Sequence, residues 1–106
     1  MSGLPKTVIL SPEEVREAIA EPVASIVDSV IACLGEAPPE LAQDLIVRGM
    51  HLVGGGGMLK GLARRIAEET EIPVTMVDAP LECVVMGAGR CIEHYDQLRV
   101  MFMGAR

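Results

Sequence analysis

Four consecutive glycines, Gly54 to Gly57, are the residues of this sequence with the clearest chemical potential. They follow an apolar run, Met50 to Val53, and precede a helical pattern that begins at Met58. This order predicts a strand, a tight turn and the first turn of a helix, whose N–H groups have no partner within the helix. Such N–H groups bind phosphate, and glycines let the backbone approach a flat ligand because they carry no Cβ atom. The run therefore indicates a candidate phosphate or nucleotide site.

Spacing alone leaves the role of this glycine run open. No Lys-Ser/Thr pair closes it, as a P-loop requires, and its spacing is not that of the dinucleotide-binding fingerprint. A turn that only needs positive backbone φ angles would have the same sequence. The glycines thus predict either a nucleotide contact or a purely structural connection between a strand and a helix.

Few other residues could carry chemistry. Cys91 and His94 lie one helical turn apart, as metal ligands could, but no second ligand pair accompanies them. His51 sits in an apolar run, where a histidine is more often packed or hydrogen-bonded than catalytic. We therefore predict neither a catalytic residue nor a metal site. The three scattered cysteines are interpreted as small buried thiols in a reducing compartment.

The composition describes one small domain of 106 residues, half of them hydrophobic. Tyr95 and Phe102 are the only aromatic residues, so aliphatic side chains and Met must build the core, as they do where helices pack on a parallel sheet. The net charge of −6 and the lack of an aromatic stacking platform argue against nucleic-acid binding. Charged residues interrupt the longest apolar segments, which predicts no membrane span.

Six helices and strands are predicted from apolar spacing and from the positions of glycine and proline. The first helix opens with a capping box, in which Ser11 is the N-cap and Glu14 follows three residues later. The predicted segments are a helix from Ser11 to Gly35, a helix from about Glu40 to Val47, a strand from Met50 to Val53, a helix from about Met58 to Glu69, a strand from Pro73 to Val77 and a helix from Pro80 or Leu81 to about Met101. The middle strand–helix–strand order predicts a βαβ unit with parallel strands. A further β-type run, Lys6 to Leu10, would have to pair with another segment.

The order of several short motifs resembles the MreB family of bacterial actin homologues. The resemblance extends from about Gly3 to about Glu93, which is nearly the whole chain. It is carried by the runs Leu4-Pro5-Lys6-Thr7-Val8, Val15-Arg16-Glu17-Ala18, Glu21-Pro22-Val23, Pro38-Pro39-Glu40-Leu41, Arg48-Gly49, Leu52-Val53-Gly54-Gly55-Gly56, Leu59-Lys60-Gly61-Leu62, Glu68-Glu69-Thr70, Ile72-Pro73-Val74, Pro80-Leu81 and Gly87-Ala88-Gly89. Because these motifs agree in order and spacing, the resemblance is far more specific than the glycine run alone.

The resemblance implies the fold class α/β. The chain would be part of an actin-like (ribonuclease H-like) ATPase domain, with a βαβ unit, flanking helices and a sheet that is incomplete in this chain. Residues 1–11 would be the last strand of the smaller subdomain, and residues 12–106 the C-terminal part of the larger subdomain beside the nucleotide cleft.

The resemblance also implies a site, because the strand–glycine–helix turn of that family is its adenosine motif. Carried over to this sequence, Gly54, Gly55 and Gly56 would lie against the adenosine and its phosphates, with Gly57 in the same turn. Met58 and Leu59 would lie near the base. Val53 stands where the family usually has a threonine, so one possible polar contact is lost.

The implied function is that of an ATP-binding cytoskeletal protein. Such proteins assemble into cytoplasmic, membrane-associated filaments that organise cell-wall synthesis with the cell-wall elongation proteins and maintain rod shape. The family's phosphate loops, its catalytic acid and its Mg ligands match no part of this sequence. Hydrolysis needs positioned phosphates, a metal and an oriented water, so we expect the chain alone to be inactive as an ATPase.

Two alternatives remain at this point. The chain could be a natural short module that binds and regulates such filaments without ATPase activity. It could also be an unrelated small α/β enzyme, although no catalytic constellation argues for one. If the chain is part of the larger actin-like sheet, as the resemblance implies, its strand edges are left unpaired, and this predicts dimers or larger species.

Overall fold

The computed structural model describes residues 3–104 of the chain. The chain forms two compact units, one ending at Glu36 and the other beginning at Ala37. The elements in order are α1 (Pro12–Gly35), α2 (Pro39–Arg48), β1 (Met50–Leu52), a 3-10 helix (Gly56–Met58), α3 (Leu62–Thr70), β2 (Val74–Met76), α4 (Cys83–Glu93) and α5 (Tyr95–Met103). The predicted domain ranges start at residue 1 and end at residue 106, so their first two and last two residues lie outside the described part.

The first unit consists of the segment before α1 and α1 itself. The predicted capping box is confirmed: the Glu14 N–H donates to Ser11 Oγ at 3.2 Å, and the Ser11 N–H donates to Glu14 Oε2 at 2.8 Å. Pro12 follows the cap in the first helical turn, where its missing N–H leaves no hydrogen bond unmade. The helix start is therefore fixed by three neighbouring residues of local sequence.

The expectation that no segment could span a membrane is not supported for α1. An 18-residue window of this helix has a mean hydropathy of 1.6 and at most two charged residues, which is apolar and long enough to cross a bilayer. Core helices of soluble proteins and signal sequences pass the same test of length and composition. The charges that the sequence analysis relied on are too few to exclude a span.

The predicted strand from Lys6 to Leu10 does not form in the structure. This segment is exposed, with Ile9 at 92% and Leu4 at 75% of their full accessible surface. The sheet of the described chain has two strands, β1 and β2, and neither pairs with the segment. A strand needs a hydrogen-bonding neighbour, so β propensity without a partner leaves the segment irregular.

The second unit is built around a βαβ unit, as predicted. β1 and β2 are parallel, with Met50 opposite Val74 and Leu52 opposite Met76, and α3 forms the crossover. Leu62 and Ile66 of α3 are buried, and so is Ile72 in the connection to β2. These side chains form the small core that holds the helix on the sheet.

The interpretation of β1 as a strand buried on both faces is wrong for this chain. Met50 and Leu52 are half-buried, whereas His51 between them is exposed. Alternate residues of a strand point to opposite faces, so one face of the two-stranded sheet has no cover within the described residues. The apolar run indicated a strand correctly, but its burial depends on neighbours that the run itself cannot supply.

The last predicted helix is in fact two helices. α4 ends at Glu93 and α5 begins at Tyr95, with His94 between them at φ −111° and ψ 30°. The His94 carbonyl still accepts hydrogen bonds from the N–H groups of Gln97 and Leu98, both at 3.1 Å, so α5 starts immediately after the break. Neither proline nor glycine lies at this position, and the sequence therefore gave no signal for the interruption.

Candidate functional site

The glycine run forms a turn at the carboxyl end of β1. The Val77 N–H donates to the Leu52 carbonyl at 3.3 Å, so the chain leaves both strands at the same edge of the sheet. The Gly54 N–H then donates to the Pro80 carbonyl at 2.7 Å, which joins the turn after β1 to the loop after β2. In open α/β sheets, ligands bind outside the carboxyl ends of the strands. The turn therefore lies where a ligand site is expected.

The backbone of this turn presents several N–H groups in succession. Gly54 has a φ of 81°, and Gly55 follows in the right-handed region at φ −65° and ψ −37°. Within the described chain, no protein group accepts a hydrogen bond from the N–H of Gly55, Gly56 or Gly57. Successive N–H groups in such turn conformations form concavities that bind anions. The turn can therefore donate hydrogen bonds to the oxygen atoms of an anionic ligand.

The space beside the four glycines differs from one to the next. A Cβ atom added at Gly54 or Gly56 would meet no heavy atom within 4 Å. A Cβ atom at Gly55 would lie 3.1 Å from Leu81 Cδ2, and one at Gly57 would lie 3.0 Å from Leu52 Cγ. Gly54 and Gly56 therefore face open space, whereas Gly55 and Gly57 face the protein.

The two remaining candidate residues follow the turn directly. Met58 ends the 3-10 helix, and Leu59 comes next in extended conformation at φ −60° and ψ 120°. Their side chains are 49% and 43% exposed. The six candidate residues are consecutive in the sequence, and in the structure two half-exposed apolar side chains directly follow the turn.

The predicted helix start at Met58 is wrong, because α3 begins at Leu62. Its N-cap is Gly61, which has a φ of 86° and provides no side-chain cap. The N–H groups at the site therefore belong to the glycine turn and the 3-10 helix, and they are not the first turn of α3. Apolar residues at Leu59, Leu62 and Ile66 have helical spacing, which is why the pattern continued across the Lys60-Gly61 turn.

The charged side chains of α3 are engaged with one another. Arg64 Nε lies 2.7 Å from Glu68 Oε1, and Arg65 Nε lies 2.8 Å from Glu69 Oε1. The hydrogen bond to Glu68 raises the pKa of Arg64 above its ordinary value. Exposed pairs of this kind contribute little to stability, but they occupy both guanidinium groups along the helix.

Metal-binding and thiol chemistry find little support in the described residues. They contain no group of three or more His, Cys, Asp or Glu side chains that could hold a metal ion. The residues present therefore do not fit a Mg ion. Cys33 is exposed, and Cys83 and Cys91 are half-buried, so the expectation of buried thiols is wrong.

Sequence reasoning missed the part that the Pro80-Leu81 segment plays at the site. The Pro80 carbonyl accepts the Gly54 N–H, and the Leu81 side chain lies against Gly55. The predicted βαβ unit contained the signal, because parallel strands end at the same edge and the loops that follow them must be neighbours.

Comparisons with known proteins place the chain in a family. A family model described as MreB/Mbl protein matches residues 1–100. The chain is 42% identical over 98 residues to the cell shape-determining protein Mbl of Bacillus subtilis (strain 168), an alignment that covers 92% of this chain. It is 45% identical over 94 residues to the cell shape-determining protein MreB of Escherichia coli (strain K12), covering 89% of this chain, and 39% identical over 94 residues to that of Pasteurella multocida (strain Pm70).

The relatives are much longer than this chain. The alignments cover 29% of the B. subtilis protein and 27% of the E. coli and P. multocida proteins. The chain therefore spans less than a third of the length of the curated relatives it matches. The identity is nevertheless high, and the family model covers almost every residue. The chain belongs to the MreB/Mbl family.

Proposed function

We propose that this chain supplies the adenosine side of the ATP site of an actin-like cytoskeletal protein. The observation that carries the proposal is the turn at the carboxyl end of β1. The N–H groups of Gly55 and Gly56, two exposed residues, have no acceptor within residues 3–104, and neither does that of Gly57, which is buried. The backbone beside Gly54 and Gly56 is open, and Met58 and Leu59 provide half-exposed apolar surface next to it. A ligand with both an anionic part and a flat apolar part, such as ATP, is complementary to this combination.

In this proposal the chain binds and orients the nucleotide but does not hydrolyse it alone. The turn N–H groups hold anionic or polar atoms, while the open glycine backbone lets the adenosine approach closely. Hydrolysis requires an oriented water and a metal at the terminal phosphate, and the described residues provide no metal cluster for it. The terminal phosphate, the Mg ion and the attacking water are therefore assigned to other parts of the whole protein.

The proposal extends to the whole protein of which this chain would be part. Residues 1–11 would supply the last strand of the smaller subdomain, although the Lys6 to Leu10 run is irregular in this chain and would need a pairing strand from elsewhere in the whole protein. Residues 12–106 would be the C-terminal part of the larger subdomain. The matched relatives are named cell shape-determining proteins. We accordingly propose cytoplasmic filaments that associate with the membrane, cooperate with cell-wall elongation proteins and maintain rod shape. The alternative of a separate regulatory module is not favoured, since none of these relatives is named as a regulator.

Self-association is supported by the apolar surface of the chain. Among residues 3–104, four large hydrophobic residues are buried, namely Val27, Leu62, Ile66 and Ile72, whereas 24 are exposed. Exposed apolar surface of this extent is typical of an interface. We expect the purified chain to sediment as dimers or larger species at high concentration. A compact monomer under those conditions would contradict this expectation.

Nucleotide binding is tested best by a methyl group placed on the open face of the turn. In Gly56→Ala the new Cβ would meet no protein atom within 4 Å, and the φ angle of Gly56 is not positive, so the fold should be retained. The methyl group would instead occupy the space assigned to the ligand. We expect ATP affinity, measured by isothermal titration calorimetry, to fall about tenfold or more.

Gly89→Ala in α4 is the matched control, because its Cβ would also meet no heavy atom within 4 Å. It adds the same methyl group at a position far from the turn in sequence and should leave the ATP affinity unchanged. Wild-type chain that binds no ATP at millimolar concentration, or a Gly56→Ala variant that binds as well as Gly89→Ala, would refute the proposed site.

A further inference from the structure

A turn of four glycines needs an external support to hold one conformation. Glycine loses more conformational freedom on folding than any other residue, at a cost of about 0.5–1 kcal/mol each relative to alanine. Gly54 to Gly57 have no side chains that could hold the turn in one conformation. A binding site built from such backbone is effective only if neighbouring groups have already fixed its geometry. The support must come from residues that contact the turn.

The loop after β2 makes two contacts of this kind. The Gly54 N–H donates to the Pro80 carbonyl at 2.7 Å, which is short for an N–H···O bond. The Leu81 side chain lies so close to Gly55 that a Cβ atom there would be 3.1 Å from Leu81 Cδ2. One contact is polar and the other is apolar, and they hold two successive residues of the turn.

The loop is itself fixed from the other side. The Cys83 thiol donates to the same Pro80 carbonyl at 3.4 Å, and the Cys83 N–H donates to the Ala79 carbonyl at 2.9 Å. These bonds tie the loop to the first residue of α4. The chain of contacts therefore runs from α4 through Pro80 and Leu81 to the glycine turn.

We propose that Leu81 is a positioning residue for the nucleotide site, which it serves by holding Gly54 and Gly55 in the conformation that presents the turn N–H groups. The inference rests on the proposed function of the turn and adds to it a residue in a separate loop. Leu81 is 62% exposed, so its contact with Gly55 contributes little to the core. An exposed leucine that packs on the turn is better suited to positioning the turn than to stabilising the whole fold.

The test compares three variants of the 106-residue chain. Leu81→Ala removes the side-chain atoms that lie against Gly55, whereas Leu81→Met keeps a similar volume and should restore the contact. Val84→Ala is the matched control, because Val84 is 69% exposed in the first turn of α4 and has no atom within 4 Å of the Cβ positions of Gly54, Gly55 and Gly56. All three should unfold at similar denaturant concentrations, since surface substitutions rarely change stability strongly.

Amide hydrogen exchange of Gly54 provides a measurement that does not depend on any ligand. With its bond to Pro80 weakened, the Gly54 amide of Leu81→Ala should exchange about fivefold faster or more than in the wild type. The amide resonances of Gly55 and Gly56 should also shift. Leu81→Met and Val84→Ala should remain within about twofold of the wild type. Equal exchange in Leu81→Ala and Val84→Ala would overturn the proposal.

ATP titration of the same variants tests the consequence for binding. Affinity should fall about fivefold or more in Leu81→Ala and recover in Leu81→Met. Unchanged affinity in Leu81→Ala would overturn the positioning role even if exchange were faster. Should the wild-type chain bind no ATP, the proposed function fails, and the exchange rates alone decide whether Leu81 holds the turn.

Discussion

β1 has a glycine with positive φ at each end, and the two positions differ in what surrounds them. Gly49 precedes the strand with a φ of 78°, and Gly54 follows it closely with a φ of 81°. A Cβ atom at Gly49 would lie 2.5 Å from the Pro73 carbonyl oxygen, whereas one at Gly54 would meet no heavy atom within 4 Å. Glycine at the first position is required by the packing of the protein. At Gly54 the fold requires only the positive φ angle, and the space beside the residue is open to a ligand.

The comparison extends to Gly56, where the fold requires neither a positive φ angle nor the absence of a Cβ atom. Its φ is not positive and its Cβ position is open. A glycine that the fold does not need, in a turn whose N–H groups have no acceptor within residues 3–104, agrees with the close approach of a ligand that we propose. The fold requires glycine most strongly at Gly49, less at Gly54 and least at Gly56. Substitution by alanine should therefore lower the free energy of unfolding in the same order.

The largest effect is expected for Gly49→Ala. The Met50 N–H donates to the Pro73 carbonyl at 2.8 Å, and this bond draws the carbonyl oxygen into the place where Cβ would be. Added to the strain of a positive φ angle, the overlap should lower the free energy of unfolding by about 3 kcal/mol or more. Urea denaturation followed by circular dichroism measures it, and loss of the cooperative transition is the extreme form of the same result.

Gly35→Ala at the end of α1 is the control for this substitution, since its Cβ would meet no heavy atom within 4 Å and its φ is not positive. It should change the unfolding free energy by about 0.5 kcal/mol or less. A Gly49→Ala variant as stable as Gly35→Ala would break the comparison between the two ends of β1.

A smaller loss is expected for Gly54→Ala, because only the backbone angle is unfavourable. The left-handed region costs a residue with a Cβ atom about 1–2 kcal/mol. Gly61→Ala is a matched variant: Gly61 has a φ of 86° and the same open surroundings. The two should lose similar stability in urea denaturation. A Gly54→Ala loss equal to that of Gly49→Ala would show that unseen packing, not an open face, surrounds the turn.

The cost of a positive φ angle can also be measured in the opposite direction at Glu71. This residue follows α3 at φ 58° and is the only non-glycine residue with positive φ in the described chain. Glu71→Gly should relieve the strain and raise the free energy of unfolding by about 0.5–1 kcal/mol. A Glu71→Gly variant of equal or lower stability would mean that the positive φ angle costs a non-glycine residue little here. The stability loss expected for Gly54→Ala would then be smaller.

The smallest change in stability is expected for Gly56→Ala. With a φ that is not positive and no neighbour within 4 Å, the variant should remain within about 0.5 kcal/mol of the wild type. The contrast with its expected loss of ATP affinity is what separates a ligand-facing glycine from a structural one. A marked loss of stability in the same denaturation experiment would mean that the fold itself requires glycine at Gly56, as it does at Gly54. A loss of ATP affinity could then no longer be attributed to the ligand alone.

The parts of the fold that sequence reasoning predicted are those encoded by local chemistry. Ser11 and Glu14 form a capping box whose two hydrogen bonds depend on residues three positions apart. The parallel pairing of β1 and β2 follows from two apolar runs separated by one helix length. The glycine turn was also located correctly, because four successive glycines have few structural uses.

The errors arise where a local pattern has two physical solutions or depends on absent neighbours. Leu59 fits the helical spacing of α3, but Gly61 adopts a positive φ angle and delays the helix to Leu62. The Lys6 to Leu10 run has β propensity but lacks a hydrogen-bonding partner in the described chain. The contact between Leu81 and Gly55 joins two loops, so it became visible only with the geometry of both.

The register of the sheet also determines how the second unit can fold. Met50 pairs with Val74, which lies 24 residues later in the chain. Closing so long a loop is entropically unfavourable until the segment between the strands is ordered, and parallel pairing cannot begin from a hairpin. We therefore expect α3 to form early, with Leu62 and Ile66 packing before the strands pair. The glycine turn, which needs both strands in place, would be among the last parts of the molecule to reach its final geometry.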